Sequence, residues 1–278
     1  MADHGLSTEQ WERYSRQIGP GVLTRQGQLR LARSTALVSR VGGVGGPAAM
    51  ALVMAGVGRV IFAHGGTLAP PDLNRQVLGS ERTLGQPRAA HFAESLREMN
   101  RFVEVEAIDH EPDDDEARRL AARADVVLSC APTFAERLRL NRAACEAGVP
   151  LVDAAQWGLH GTLIVVDPGR TACLRCLYPD PPPFEELFPV LGAISHAMGA
   201  LAAMEAIKIL AGAGQPLFGR LWLLEGFSGK SSIVELTRNP HCPCCAGKKG
   251  AGKGSGDGRL RCPTVPQALA RVEDRGCG

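Results

Sequence analysis

Two Cys-x-x-Cys pairs stand far apart in this chain: Cys173 and Cys176 in "ACLRCLYP", and Cys242 and Cys245 in "HCPCCAG". Two such knuckles can close a tetrahedral thiolate site around zinc, which would require any fold to bring the two segments together. With no signal peptide read before "MADHGLSTEQ", nine cysteines point to a reducing compartment and to metal binding or thiol chemistry rather than disulfides. Four protein ligands leave zinc no open position for a substrate, so the expected zinc is structural and fastens the C-terminal segment. The competing reading is a set of buried or redox-active thiols. Cys130, ending an apolar strand, and Cys145, on a helix, read as core fillers. Cys262 and Cys277 fall in the tail.

The 278 residues, 45% of them hydrophobic, can bury one large α/β core or two modest ones. "STEQ" at 7–10 reads as a capping box opening a helix. From "STALVSR" at 34–40 to "VPLVDAA" at 149–155, strand-like and helix-like segments alternate. That rhythm predicts a Rossmann-like, mainly parallel sheet with helices on both faces. Beyond Ala155 the pattern changes: "HGTLIVVDPG" suggests strands near a turn, and "RLWLLEGFSGKSSIVELTR" a hairpin with a glycine turn. The sheet is expected to end in antiparallel strands. One domain over 1–245 and a flexible Gly/Lys-rich tail over 246–278 follow from composition.

The net charge of +2 comes without a basic stripe interleaved with aromatics, so nucleic-acid binding is not expected. Val41–Gly58 and Leu187–Met204 lack acidic and basic residues over membrane-spanning length. Glycines and Pro47 interrupt the first, and Pro189, Ser195 and His196 the second. Both read as buried segments of a soluble, cytoplasmic protein.

Between the first strand and helix lies a loop with Gly42, Gly43, Val44, Gly45, Gly46 and Pro47. Unpaired N–H groups at such a helix start suit a phosphate. The next strand ends in His64, without the carboxylate that would hold a nucleotide ribose, which argues against NAD.

Several further motifs occur in a fixed order: "RYSRQI" at 13–18, the glycine loop, "DLNRQVL" at 72–78 and "GQPRA" at 85–89. "GVPLVDAA" at 148–155, "CLRCLYPDPPP" at 173–183, "AMEAIKIL" at 203–210 and the final "CPCC" complete it. Together, over residues 10–245, the chain resembles the MoeB/ThiF/HesA group of ubiquitin-activating-enzyme-like adenylyltransferases. The resemblance implies a zinc-bearing α/β domain in a homodimer, or in a heterodimer with an active homologue. It implies ATP and Mg²⁺, and as partner a ubiquitin-like sulfur-carrier protein or peptide whose C-terminal carboxylate is adenylated. It assigns Arg16 to the partner subunit's nucleotide site and, with Arg75, to catalysis if the chain is active. Gly42, Gly43 and Gly45 match the nucleotide turn, Asn74, Arg75 and Gln76 the phosphate-side group, and Arg88 the phosphate-binding lysine. Cys173, Cys176, Cys242 and Cys245 match the zinc ligands.

Other positions depart from the family pattern. Arg40 stands for the turn's first glycine, His64 for the ribose-binding aspartate, and Gly66 for a nearby acidic residue. Pro132, in "CAPT", stands for the Mg²⁺-binding aspartate. The segment "FEELFPVLGAIS" holds no cysteine where family members often carry a reactive one. These losses predict an ATP pocket that is degraded, with Arg40 reaching into the adenosine volume, and a weakly active or non-catalytic partner-binding subunit. The alternative is an active adenylyltransferase with rearranged nucleotide ligands.

Overall fold

Alternating apolar residues fix the two faces of the central sheet. The structure, a computed structural model, describes residues 5–181 and 189–246. The first strands are β1 (Thr35–Val38), β2 (Arg59–Ala63), β3 (Glu104–Ile108), β4 (Val126–Ser129) and β5 (Leu151–Trp157). They run parallel in the order β3-β2-β1-β4-β5. Val38, Phe62 and Leu128 face one core layer, whereas Leu37, Ile61 and Val127 face the other. Burial on both faces gives the near-continuous apolar runs read in the sequence.

Helices α1 (Thr8–Arg13), α2 (Arg25–Arg33), α3 (Gly45–Ala55), α4 (Arg88–Met99), α5 (Asp114–Ala122) and α6 (Phe134–Ala147) punctuate these strands. The predicted capping box is formed, with the Gln10 N–H donating to Ser7 Oγ and the Ser7 N–H to Gln10 Oε1. Helix α3 begins at Gly45, two residues before Pro47, whose missing N–H falls in the first turn, where no intrahelical partner exists.

The chain then turns back through β6 (His160–Val166), β7 (Arg220–Glu225) and β8 (Lys230–Glu235), all antiparallel. The fold is thus the expected Rossmann-like mixed sheet, and β7–β8 is the expected hairpin. Between β6 and β7 lie α7 (Leu174–Leu177) and α8 (Gly192–Ala211). Helix α8 is long and apolar enough to span a membrane by length and composition. Here Met198, Ala202, Ala203 and Ala206 instead pack into the core. Its fully buried Glu205 accepts the Leu217 N–H at 2.8 Å and pairs with Lys208. Beyond Ala246 the expected tail lies outside the described residues, as do Cys262 and Cys277.

Candidate functional site

Strand β1 pairs with β2 on one side and β4 on the other, so the chain's direction of winding reverses there. Open parallel sheets place ligands beyond the carboxyl ends of the strands at such a switch point. A cavity of about 610 Å³ opens at that place. Its lining comes from the loops after β1, β2 and β4 and from β5 and β6, and includes Arg40, His64, Pro132, Gln156 and Thr162.

Of the residues predicted to hold a nucleotide, Gly42, Gly43, Arg75, Gln76 and Arg88 line this cavity. Gly45 does not. A Cβ there would sit 1.6 Å from the Arg40 carbonyl oxygen, so glycine is required for the close approach of α3 to the end of β1. Asn74 is exposed; its Nδ2 donates to the Val190 carbonyl at 3.2 Å, and its Oδ1 accepts from Arg75. Arg16 is exposed on a one-turn helix, Ser15–Gln17, away from this chain's own cavity lining.

The charge arrangement turns on a residue the sequence reading passed over. Asp72 begins the quoted "DLNRQVL", yet its side chain is the one carboxylate among the described cavity-lining residues. Arg88 donates to Asp72 Oδ2, Gln76 Nε2 to Oδ1 at 2.8 Å, and Arg75 Nη2 to Oδ1 at 3.3 Å. Burial alone would raise this carboxyl. The Arg88 hydrogen bond, the Ala69 N–H and the charges of Arg88 and Arg75 overcome that and hold it below the ordinary range. Both candidate phosphate-binding arginines therefore already share one protein carboxylate, which offsets one of their two charges.

Arg40 lines the cavity, but its guanidinium is held away from a free role. Its Nε donates to Glu136 Oε2 at 2.8 Å, and its Nη2 to Glu111 Oε2 at 2.8 Å. Glu136 is 3% exposed, and burial raises its carboxyl despite the Arg40 charge. Arg40 thus comes with a counter-ion on α6. Gly66 is coupled to a neighbour as well. It has φ +80°, its carbonyl accepts the Arg88 N–H, and a Cβ there would meet Arg88 Nη1 at 2.9 Å. A side chain at 66 would be strained by this positive φ and would push the tip of Arg88 aside.

His64 is buried and neutral. Burial first, then the charges of Arg88 and Arg40, lower its pKa to about 3. Its Nδ1 has no partner, and neither do Gln76 Oε1, Gln156 Oε1 or Ser195 Oγ. All four residues line the cavity. These four atoms are themselves closed off from solvent, so they are unpaired buried groups beside the cavity rather than contacts offered to a ligand within it.

One wall is rigid. Arg137 forks onto Asp153 at 3.0 and 2.5 Å, and Ser129 Oγ donates to the same carboxylate at 2.8 Å. Phe134 lies 4.6 Å beneath the Arg137 guanidinium. Cys130 also lines the cavity, but burial and the carboxylates of Asp153 and Glu136 push its thiol up, which disfavours the nucleophilic thiolate.

Residues present in the cavity fit Mg²⁺ poorly. The ion needs carboxylate oxygens, Pro132 offers none, and Asp72 is surrounded by cationic donors. The cysteine site is the opposite case. The Sγ atoms of Cys173, Cys176, Cys242 and Cys245 lie within 4.8 Å of one another. The contacts Cys173–Cys176, Cys173–Cys242 and Cys176–Cys245 measure 4.0, 3.7 and 3.5 Å. Zinc–sulfur bonds of about 2.3 Å give a tetrahedral edge of about 3.8 Å. The four cysteines can therefore hold a metal ion with little adjustment.

Comparison with known proteins agrees with this architecture. The ThiF family model matches residues 14–244. Protein HesA of Leptolyngbya boryana is 40% identical over 241 residues, covering 86% of this chain and 87% of that protein. The Bos taurus adenylyltransferase and sulfurtransferase MOCS3 is 37% identical over 246 residues, covering 86% of this chain and 54% of the bovine protein. Among solved structures, E. coli MccB with ATP superimposes with TM-score 0.71 at 20% identity, covering 80% of this chain and 68% of that one. The microcin C7 biosynthetic enzyme MccB with N-formylated MccA gives 0.73 at 20%, covering 80% and 70%. The chain belongs to the ThiF family.

Proposed function

We propose that this chain is a partner-binding member of the ThiF family whose adenylation activity is weak or absent. The partner is a ubiquitin-like sulfur carrier or a peptide presenting its C-terminal carboxylate. The named activity of the bovine relative and the MccA peptide in the MccB structure support that class of partner. We further propose that the chain works as a homodimer or beside an active homologue, with Arg16 reaching the neighbouring subunit, and that the four cysteines hold a structural zinc.

The observation that carries the reading is the state of Asp72. It is the one carboxylate in the described cavity lining, and Arg88, Arg75 and Gln76 occupy it. Metal-assisted phosphoryl chemistry needs the reverse: carboxylates free for the ion and cations free for the phosphates. Loss of key charge stabilisation in such a site costs about 3–4 kcal/mol, or about 10²–10³ in rate.

The alternative is an active enzyme with rearranged nucleotide ligands. It is favoured by the convergence of Gly42, Gly43, Arg75, Gln76 and Arg88 on a cavity that remains open. ATP–pyrophosphate exchange with a Gly-Gly-ended carrier decides between them. Exchange at background is expected. Robust exchange that disappears in Arg75→Ala overturns the proposal.

A further inference from the structure

The cysteine end of the molecule holds more sulfur than one zinc needs. Beside the four thiols already described, Cys145 and Cys244 lie in the same cluster, and their Sγ atoms are within 4.8 Å of Cys173 and of each other. Cys145 comes from α6, Cys173 from the start of α7, and Cys244 from the turn between the final knuckle cysteines. Three elements distant in sequence thus deliver a second sulfur triangle that shares one vertex with the first site.

We propose that Cys145, Cys173 and Cys244 form a second thiolate site, bridged to the first through Cys173 Sγ, for a soft divalent ion of the zinc and cadmium class. It rests on the four-cysteine zinc reading for the shared sulfur. Soft thiolates select such ions, and a set of three protein sulfurs leaves one position for water.

The surroundings favour ligands over packing thiols. Asn141 is 1% exposed and lies one turn before Cys145 on the same face of α6. Its Nδ2 donates to Cys244 Sγ at 3.2 Å while its Oδ1 accepts the Leu174 N–H at 3.0 Å. The buried amide thus treats the Cys244 sulfur as an acceptor and ties it to the segment carrying Cys173. Such outer contacts orient ligands in metal centres. Cys145 is buried and Cys244 only partly so, which places the open position on the Cys244 side. Charge also balances. As one divalent ion enters, the thiols of Cys145 and Cys244 release two protons, so the cluster gains no net charge. Arg238, donating to the Cys245 and Gly169 carbonyls, adds a cation beside it. Closing the triangle to an edge of about 3.8 Å needs sulfur movements of at most about 1 Å.

The test uses the full chain, stripped of metal under reductant and reconstituted with cadmium. Two ions per chain by elemental analysis and two cadmium NMR resonances of similar intensity are expected. Cys145→Ser and Cys244→Ser should each reduce both readouts from two to one. Cys145→Ala, which fills the buried space without a ligand, should do the same while keeping the native circular dichroism spectrum. One ion in the wild type, with the same value in the variants, overturns the second site. No ion in the wild type overturns the four-cysteine reading itself, which separates the two failures. Loss of both ions in both Cys145 variants, or a Cys145–Cys244 disulfide in protein carrying one ion, also overturns it.

Discussion

The two ends of this molecule carry family motifs with opposite outcomes. At the cysteine end, all four matched ligands converge at spacings a metal ion can use. At the cavity end, glycines and arginines gather on one cavity, yet each nearby arginine has a protein carboxylate: Arg75 and Arg88 share Asp72, and Arg40 has Glu136 and Glu111. A thiolate site depends on a few atoms of one kind. A charge-stabilising pocket depends on the balance of many groups from distant segments, so its character is set by ion pairs that the backbone alone does not fix.

The largest effect should come from breaking the cysteine end. Cys242 is 1% exposed and lies in the second core layer. With metal bound, Cys242→Ser should cost about 4–5 kcal/mol, the range of lost structural metal sites. For a chain of this size that lowers Tm by about 10 °C or more. Thermal unfolding with and without a chelator checks it: the wild type should fall toward the variant on chelation, and the variant should hardly respond. If the variant melts with the wild type, the cysteines do not fasten this end.

A smaller effect tests the cavity. Reverting Arg40→Gly looks like restoration, but it strips the counter-ion from buried Glu136. Because Arg40 is itself partly exposed, the expected cost is about 2 kcal/mol rather than the larger value for a fully buried pair. Arg40→Gly combined with Glu136→Ala should recover most of that loss in denaturant unfolding. Adding His64→Asp and Pro132→Asp to that background should then raise ATP affinity at least about tenfold, a change of about 1.4 kcal/mol. If the combined variant still binds no better than wild type, the pocket matching is wrong.

The fold was largely legible because its signals are local. Apolar runs, the Ser7–Gln10 cap and the glycine turn of the hairpin each act within a few residues. Arg40, His64 and Pro132 were equally legible as residues of one pocket, and all three line the cavity. Their consequences were not. The sequence suggests an Arg40 side chain reaching into the adenosine volume; Arg40 does line the cavity, but its pairing with Glu136, 96 positions later on the first turn of α6, was not visible there. Asp72 stood in plain view two residues before Asn74, but nothing local shows that Arg88 folds back onto it. Asp153 likewise looked like one polar residue in an apolar strand; only the packing of α6 on β5 gives it Arg137. Ion pairs across a fold carry no periodicity, so they escape pattern reading.

The buried histidine yields a third effect, smaller per unit of pH. With a native pKa of about 3 against 6.5 unfolded, His64 is neutral in the native state and charged in the unfolded one between those values. The unfolded state then binds more protons, so stability falls as pH drops from about 6.5 toward 3, by at most about 1.4 kcal/mol per pH unit from this residue. His64→Asn should flatten the stability profile between pH 6.5 and 4 by up to one proton. An unchanged slope would mean His64 is not held neutral by burial and by the Arg88 and Arg40 charges.

The subtlest change asks whether Asp72 competes with a ligand or positions its binders. Asp72→Asn keeps the shape and an oxygen that can accept the Ala69 N–H and one arginine contact, but it removes the one negative charge that Arg75 and Arg88 share. If Asp72 acts as an internal substitute for a ligand anion, freeing the two guanidinium groups should tighten binding of pyrophosphate or metal-free ATP. The gain expected is a few-fold to tenfold, about 1 kcal/mol, and it should shrink with added salt because the cavity is open to solvent. If Asp72 instead holds the arginines in a productive pose, the same substitution weakens binding. Calorimetric titration of wild type and variant at two salt concentrations reads the sign directly. Tighter binding supports a pocket whose own carboxylate occupies the anion position, and weaker binding returns Asp72 to the side of an active site with rearranged ligands.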